Sequence, residues 1–323
     1  MDIFKSIKNA YTIISRVANV TPVMTSRTLD SITGAKRVII KCENFQRTGS
    51  FKFRGAWNCI SHIPIVERER GIIAHSSGNF AQAVALVATI LQLKATIVMP
   101  NNATPSKIQA TKGYGAEVVL CGNEPGDRAK KAEELIQKYN YRLIHPFDDN
   151  SVIVGAGTTA YELMNSIDLI DLLFVPIGGG GLISGCSIAA KGIDPRVKVI
   201  GVEPKNADDA FRSFQLGKRV PVENPNTIAD GLRTSVGELT FPIIQENVDK
   251  IITVTEEQII DAMRFYWERM KLIVEPSGAV SLAGLLSGNI DPSLIKNRRI
   301  GIIISGGNID LSDFFATLKL KLA

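Results

Sequence analysis

What this chain has little of narrows it before any motif is read. Its four cysteines, Cys42, Cys59, Cys121 and Cys186, are widely separated. With no C-x-x-C pair and no histidine at zinc-ligand spacing, they offer neither a disulfide framework nor a cysteine-built metal fold. They read as reduced thiols of a cytoplasmic protein. Histidine is scarcer: His62, His75 and His145 stand alone. No Gly-x-Ser-x-Gly elbow is present, so histidine-driven nucleophilic catalysis lacks its parts, and each histidine reads as structural. No run approaches the roughly 18 apolar residues of a membrane span, and the N-terminus has no apolar core with a small-residue cleavage site. Lys5 to Arg16 is amphipathic and free of acids, which leaves organellar targeting as the alternative placement.

A block of one charge is also missing. The net charge of +5 comes from Lys and Arg interspersed with acids, as in Glu67-Arg-Glu-Arg70 and Asp127 to Glu134, so nucleic acid is not an expected partner. Internal repeats, low-complexity tracts and an obvious linker are absent too. What remains is a chain of 323 residues, 45% hydrophobic and 21% charged, able to bury one large core or two coupled ones.

Short β-branched apolar runs recur between longer helical patterns: Val38 to Lys41, Gly71 to Ala74, Ala95 to Met99, Glu117 to Leu120, Leu172 to Val175, Val199 to Val202 and Ile300 to Ser305. Continuous apolar strands separated by helices define an α/β class with largely parallel sheets covered on both faces. Ligands of such sheets bind beyond the carboxyl ends of the strands. Small, hydroxyl and amide residues follow three of these runs: Ser76-Ser-Gly-Asn79, Gly178-Gly-Gly-Gly181 and Ser305-Gly-Gly-Asn308.

Four chemical signals follow. Lys52, in Thr48-Gly-Ser-Phe-Lys-Phe-Arg-Gly-Ala56, stands between Phe51 and Phe53, a setting that would strip water from its ammonium and lower its pKa; the plainer reading is a stem snorkelling over the two rings. Four glycines at 178 to 181 between strand and helix leave backbone N–H groups open at a positive helix end, a seat for a phosphate. They lack the Gly-Lys-Ser/Thr ending of a nucleotide loop. Gly155-Ala-Gly-Thr-Thr-Ala160, after Ser151-Val-Ile-Val154 read as a strand, matches the looser dinucleotide pattern and carries the rival reading of an NAD-dependent oxidoreductase. No strand with a terminal acid follows about 20 residues on, and a helix N-terminus packed close to a sheet explains it more simply. Glu203 and Asp209 could share a hard divalent cation with backbone oxygens. A desolvated lysine with a phosphate seat calls for a phosphorylated cofactor bearing a carbonyl, which pyridoxal 5'-phosphate satisfies.

Taken together, Thr48 to Ala56, Ser76 to Asn79, Gly178 to Leu182, Glu275-Pro-Ser-Gly278 and Ser305 to Asn308 resemble, in order and spacing, the fold-type II pyridoxal-phosphate enzymes, and within them the serine racemase and serine/threonine dehydratase family. The resemblance covers essentially the whole chain. It implies a tryptophan synthase β-like fold of two open, twisted, largely parallel sheets flanked by helices. A large cofactor domain (residues 1–70 and 148–323) would close on a small mobile domain (71–147), in a homodimer. It implies Lys52 as the lysine that condenses with the cofactor and removes the substrate Cα proton. Phe51 would lie against the cofactor ring, Asn79 on its 3-oxygen and Ser305 at its nitrogen. Gly178, Gly179, Gly180, Gly181 and Leu182 would take its phosphate, with Glu275 beside them.

Ser76, Ser77 and Asn79 would hold the substrate carboxylate, and Ser77 would be the second acid/base that racemisation needs. Arg128 and Thr234 match positions near the substrate, and an arginine there suits a second carboxylate, so 3-hydroxyaspartate joins serine and threonine as a substrate. Glu203, the Ala207 carbonyl and Asp209 match the family's Mg2+, Ca2+ or Mn2+ site. Tyr114, Gln82 and Lys271 match part of an ATP effector site, from which Phe147 departs, replacing an asparagine. Phe80 departs from a histidine next to the substrate loop. The expected reaction is loss of water from a 3-hydroxy amino acid to an enamine, whose hydrolysis takes the water back and releases a 2-oxo acid and ammonia, accompanied by serine racemisation. The alternative in the same family is a 3-hydroxyaspartate ammonia-lyase or aspartate-type racemase. Within the wider fold, a cysteine synthase is disfavoured because Phe53-Arg54-Gly55, not Asp-Arg, follows the lysine.

Overall fold

Strands that are buried on both faces cannot show an apolar and a polar side, and the apolar runs of this chain fold accordingly. The computed structural model describes residues 2–124, 126–167, 169–312 and 314–315. The strands are β1 (Val23–Thr25), β2 (Arg37–Cys42), β3 (Ile72–His75), β4 (Ala95–Pro100), β5 (Glu117–Cys121), β6 (Arg142–Leu143), β7 (Leu172–Pro176), β8 (Lys198–Pro204), β9 (Lys250–Val254) and β10 (Arg299–Ile304). They form a six-stranded sheet, β1-β2-β10-β7-β8-β9, and a four-stranded sheet, β5-β4-β3-β6. Every pairing is parallel except that of the short edge strand β1 with β2.

Alternate residues of one strand feed different cores, as a two-residue period requires. On one face of the large sheet Leu173, Val199, Ile251 and Ile303 join a core that extends to the small sheet. On the other, Phe174, Ile200, Ile252 and Ile302 pack with helix Pro276–Leu286. The amphipathic N-terminal stretch is spent in the same way: helix Ile3–Ile14 is capped by Asp2 and buries Ile7, Ala10 and Ile14.

The Gly155 to Ala160 motif corrects its sequence reading. Residues 151–154 are not a strand, and the glycines lie inside the long helix Asn150–Ser166. A Cβ on Gly155 would stand 2.5 Å from the Arg54 carbonyl oxygen, and one on Gly157 would stand 2.7 Å from that of Gly185. The glycines therefore let three helices cross at close range. With no strand-to-helix turn there, the dinucleotide reading loses its structural basis.

The parallel strands point their carboxyl ends toward one cleft. His75 leads through Ser76 to Gly78 into helix Asn79–Ile90, Pro176 leads through the glycines into helix Gly181–Ile193, and β10 runs into Ser305. No helix among the described residues is long and apolar enough to cross a membrane.

Candidate active site

Lys52 opens helix Lys52–Ser61. Its Nζ lies 5.0 Å from the centre of the Phe51 ring and 5.6 Å from that of Phe80, and it donates one hydrogen bond, 2.9 Å long, to the Pro146 carbonyl. Two ring faces and a carbonyl replace little of an ammonium's hydration. Burial pushes the lysine down to about 8, with the Glu275 charge pulling the other way. Phe53 is not its second aromatic neighbour. That side chain is fully buried and stacks on Trp57, because adjacent helical positions face different directions. Phe80, from another helix, fills the role instead.

The backbone around Lys52 is set by close contacts with the end of β10. Phe51 N–H donates to the Ser305 carbonyl at 3.0 Å, Ser50 bridges Gly306, and Asn308 Nδ2 donates to the Thr48 carbonyl and, at 2.9 Å, to Asn79 Oδ1. Asn79 Nδ2 donates in turn to Glu275 Oε1 at 2.7 Å. Glu275 is almost fully buried; burial, then the Asp230 charge, push its carboxyl up to about 8. A Cβ on Gly306 would stand 2.4 Å from Glu275 Oε1, so only glycine lets these segments meet. Residues 48–52, 79, 275 and 305–308, far apart in sequence, thus form one wall containing Ser305, itself buried.

The glycine run forms the opposite element of the site. Gly180 adopts φ +90°, and helix Gly181–Ile193 begins with no side-chain cap, so its first N–H groups are left without intrahelical partners. Thr240 Oγ1 donates to the Gly179 carbonyl at 2.8 Å, fixing the loop from behind. Leu182 is buried in the first turn. This is the geometry a phosphate dianion requires, and the residues present fit that group.

A turn of which the sequence reading named only Phe147, and in another role, joins the two elements. His145 Nδ1 accepts from the Asp148 amide at 2.8 Å and the Phe147 amide at 3.4 Å, so the ring is the tautomer protonated at Nε2. Burial holds the histidine below its usual value. The turn aims Pro146 at Lys52 and lays the Phe147 ring on Gly179, where a Cβ would meet ring carbons at 2.4 Å. The Asp148 carboxylate accepts from the amides of Glu238, Leu239 and Thr240. Isolated histidines carry no spacing signal; the only local hint was a Pro-aromatic-Asp-Asp stretch between predicted elements.

Among the other expected residues, Ser76 and Ser77 lie half-buried on the loop after β3. The Gly78 amide donates to Ser76 Oγ at 3.3 Å, and the helix that follows has no side-chain cap; its Ala81 amide returns to the Gly78 carbonyl, which leaves those of Asn79 and Phe80 to an anion. Arg128, half-buried at the start of helix Asp127–Tyr139, contributes to holding His75 below its usual value, after burial and His145. Thr234 stands exposed on the segment after Arg233, and the structure does not draw it into the wall. Gln82 is buried, Tyr114 closes helix Pro105–Gly113, and Lys271 Nζ donates to the Glu268 carbonyl.

A second constellation lies beyond the end of β8. Glu203 and Asp209 are fully buried, and the Ala207 that precedes Asp209 is buried beside them. Glu203 accepts from the amides of Ala210 and Phe211 and Asp209 Oδ2 from that of Val236. Asp209 Oδ1 has no partner. Burial and the neighbouring carboxylate raise Glu203 well above its usual range, and burial raises Asp209 to about 6. An orphaned oxygen and two carboxyls resisting ionisation fit a hard cation.

A depressed lysine facing an uncapped, glycine-built helix start defines an α/β enzyme that holds a phosphorylated carbonyl cofactor. The family model for pyridoxal-phosphate dependent enzymes matches residues 14–306, and the chain belongs to that family. It is 46% identical over 303 residues to an L-threo-3-hydroxyaspartate ammonia-lyase of Pseudomonas sp, covering 94% of both chains. It is also 46% identical to a serine racemase of Dictyostelium discoideum, covering 98% of this chain and 97% of the relative. The solved structure of maize serine racemase superposes with a TM-score of 0.94 at 40% identity, covering 99% of this chain and 97% of that one.

Proposed function

We propose that this protein is a pyridoxal-phosphate-dependent ammonia-lyase that converts L-serine, L-threonine or L-threo-3-hydroxyaspartate to a 2-oxo acid and ammonia, and that it also racemises serine. The observation that carries this reading is Lys52, an amine held down to about 8 with one carbonyl as its hydrogen-bond partner, on a turn that also packs on the phosphate seat. When bound, the cofactor supplies an aldehyde and an electron-withdrawing ring that stabilises negative charge at the amino acid's Cα.

Gly178 to Gly181 and Leu182 would hold its phosphate, Asn79 its 3-oxygen, Ser305 its ring nitrogen and Phe51 its face, with Glu275 alongside. Lys52, as the free amine, takes the Cα proton and then carries it on its ammonium, which donates a hydrogen bond to the Pro146 carbonyl. Ser76, Ser77 and the uncapped amides of the Asn79 helix orient the substrate carboxylate. Ser77, on a different element from Lys52, is the second proton-bearing group for racemisation. Arg128 faces a second carboxylate, favouring the hydroxyaspartate reading that the Pseudomonas relative's name carries; Thr234 joins the substrate when the small unit closes. Closure of residues 71–147 on the rest of the chain keeps water from the reacting carbon.

Glu203, the Ala207 carbonyl and Asp209 would hold Mg2+, Ca2+ or Mn2+, a role supported by the orphaned Asp209 oxygen. Asn44 Nδ2 donates to the Ile273 carbonyl, which sets the segment with exposed Phe45 against the one with exposed Ile273, and these two exposed apolar residues would suit a homodimer. Unpaired thiols suit the cytoplasm. The test is a parallel assay of the three substrates for 2-oxo acid and ammonia, with chiral analysis of residual serine. Oxo acid from at least one, abolished in Lys52→Ala, is expected; no turnover of any of them by loaded enzyme would overturn the reading.

A further inference from the structure

The sequence disperses its positive charge, but the fold gathers part of it on the side of the large sheet opposite the active site. At the amino end of that sheet a cavity of about 250 Å³ is lined by Lys36, Arg37, Ile39, Ile167, Leu169 and Arg299. Arg299 and Arg37 are direct partners in the parallel pairing of β10 with β2. Their side chains therefore leave the sheet on the same face, where like charges oppose each other and destabilise the pairing.

Local acids do not resolve this. Asp30 reaches Arg37 at 3.7 Å, and Asp171 reaches Arg298 at 3.7 Å while taking the Arg299 amide through its other oxygen. Among the described residues neither Arg299 nor Lys36 has a side-chain acid partner. Asp168, next to Ile167 and Leu169 in the chain, lies outside the described residues. Ile39 sits two residues from Arg37 on the same strand face and, with Ile167 and Leu169, gives the cavity an apolar floor.

We propose that this cavity is a binding site, separate from the catalytic cleft, for a small dianionic organic acid: a phosphate monoester or dicarboxylate with a short apolar body. The two guanidinium forks take the anion's oxygens, Lys36 adds a point charge, and the apolar floor takes the body. The ligand relieves the opposed arginines, so it stabilises the sheet edge on which it binds.

The test uses pyridoxal-phosphate-loaded enzyme, whose phosphate seat is filled, and phenyl phosphate as probe, read by calorimetric titration and melting temperature. Phenyl phosphate should bind with one-to-one stoichiometry and raise the melting temperature, more tightly than inorganic phosphate, while benzyl alcohol should do neither. Arg299→Gln and Lys36→Gln should each weaken binding by about tenfold, and Arg299→Lys by less. Because Arg299→Gln removes a like-charge opposition, its unliganded melting temperature should match or exceed that of wild type, which separates lost binding from lost folding. No binding to the wild type, or equal affinity in Arg299→Gln and Lys36→Gln, would overturn the site.

Discussion

Lys52 and Arg54 lie two residues apart on one helix, and both carry positive charge into the interior, yet their surroundings differ in almost every respect. Arg54 is fully buried and completely answered: its Nε and Nη2 donate to Glu43 at 2.8 Å each, and its Nη1 and Nη2 donate to Glu162 at 3.1 and 2.9 Å. Lys41 closes on Glu162, and Thr21 on Glu43. Lys52 has one carbonyl and two aromatic faces. Where buried charges are matched, they fix the helix; where a charge is left unmatched, its pKa moves, and it is available for chemistry.

The sharpest way to break this comparison is to remove each charge in turn. Lys52→Ala should lower turnover by at least about a thousandfold while leaving the melting temperature of the unloaded protein unchanged or raised. Arg54→Met should act through folding: it strands Glu43 in the interior and leaves Glu162 to Lys41 alone, at a cost of about 3–5 kcal/mol, read as a fall in the denaturant midpoint. If Lys52→Ala unfolded the protein or Arg54→Met left stability intact, the two residues would have been assigned the wrong way round.

Next in size is pH. The folded state holds Lys52 below its ordinary value, so its charged form opposes folding at neutral pH, and that penalty is relieved as pH rises from about 8 toward the unfolded value. The free amine is the nucleophile, so the rate at which unloaded enzyme takes up pyridoxal phosphate should rise with pH with a midpoint near 8. A midpoint near 10.5, the ordinary lysine value, would show that the cleft does not desolvate the amine.

Gly179→Ala should cost about 1–3 kcal/mol of cofactor binding, since its Cβ would strike the Phe147 ring; dialysis against limiting cofactor measures it. The smallest effect belongs to the proposed cation site. Mg2+ should raise the melting temperature of wild type by a few degrees at neutral pH and that of Asp209→Asn by much less. Equal shifts would place the cation elsewhere.

Much of the fold was legible because parallel strands advertise themselves as continuous apolar runs. Those missed were β1, β6 and β9. The first two are three and two residues long, too short for a period to show. Lys250-Ile-Ile-Thr-Val254 carried a β-branched signal that went unread. The glycine run, Asn79 and Ser305 were visible because each follows or opens an element at a strand's carboxyl end, and Lys52 because of its aromatic flanks, of which only Phe51 faces it. His145 and Pro146 were not seen as parts of the site, and Phe80 and Phe147 stood out only as departures from the family pattern, beside the substrate loop and in the effector set, since the roles of all four come from contacts between segments far apart in sequence. The Gly155 to Ala160 run misled for the complementary reason: glycine spacing records close approach, and only the partners, here three helices, say of what.

The most direct test of the account is the visible absorption spectrum of wild type and Lys52→Ala after each is supplied with pyridoxal phosphate and freed of excess, before and after L-serine and L-threo-3-hydroxyaspartate are added. The account predicts a protein-bound cofactor band in wild type that changes with substrate as oxo acid accumulates. It also predicts that the lysine-dependent band is absent from Lys52→Ala. The same band in both proteins, or none in wild type, would contradict the assignment of Lys52 as the residue that carries the cofactor.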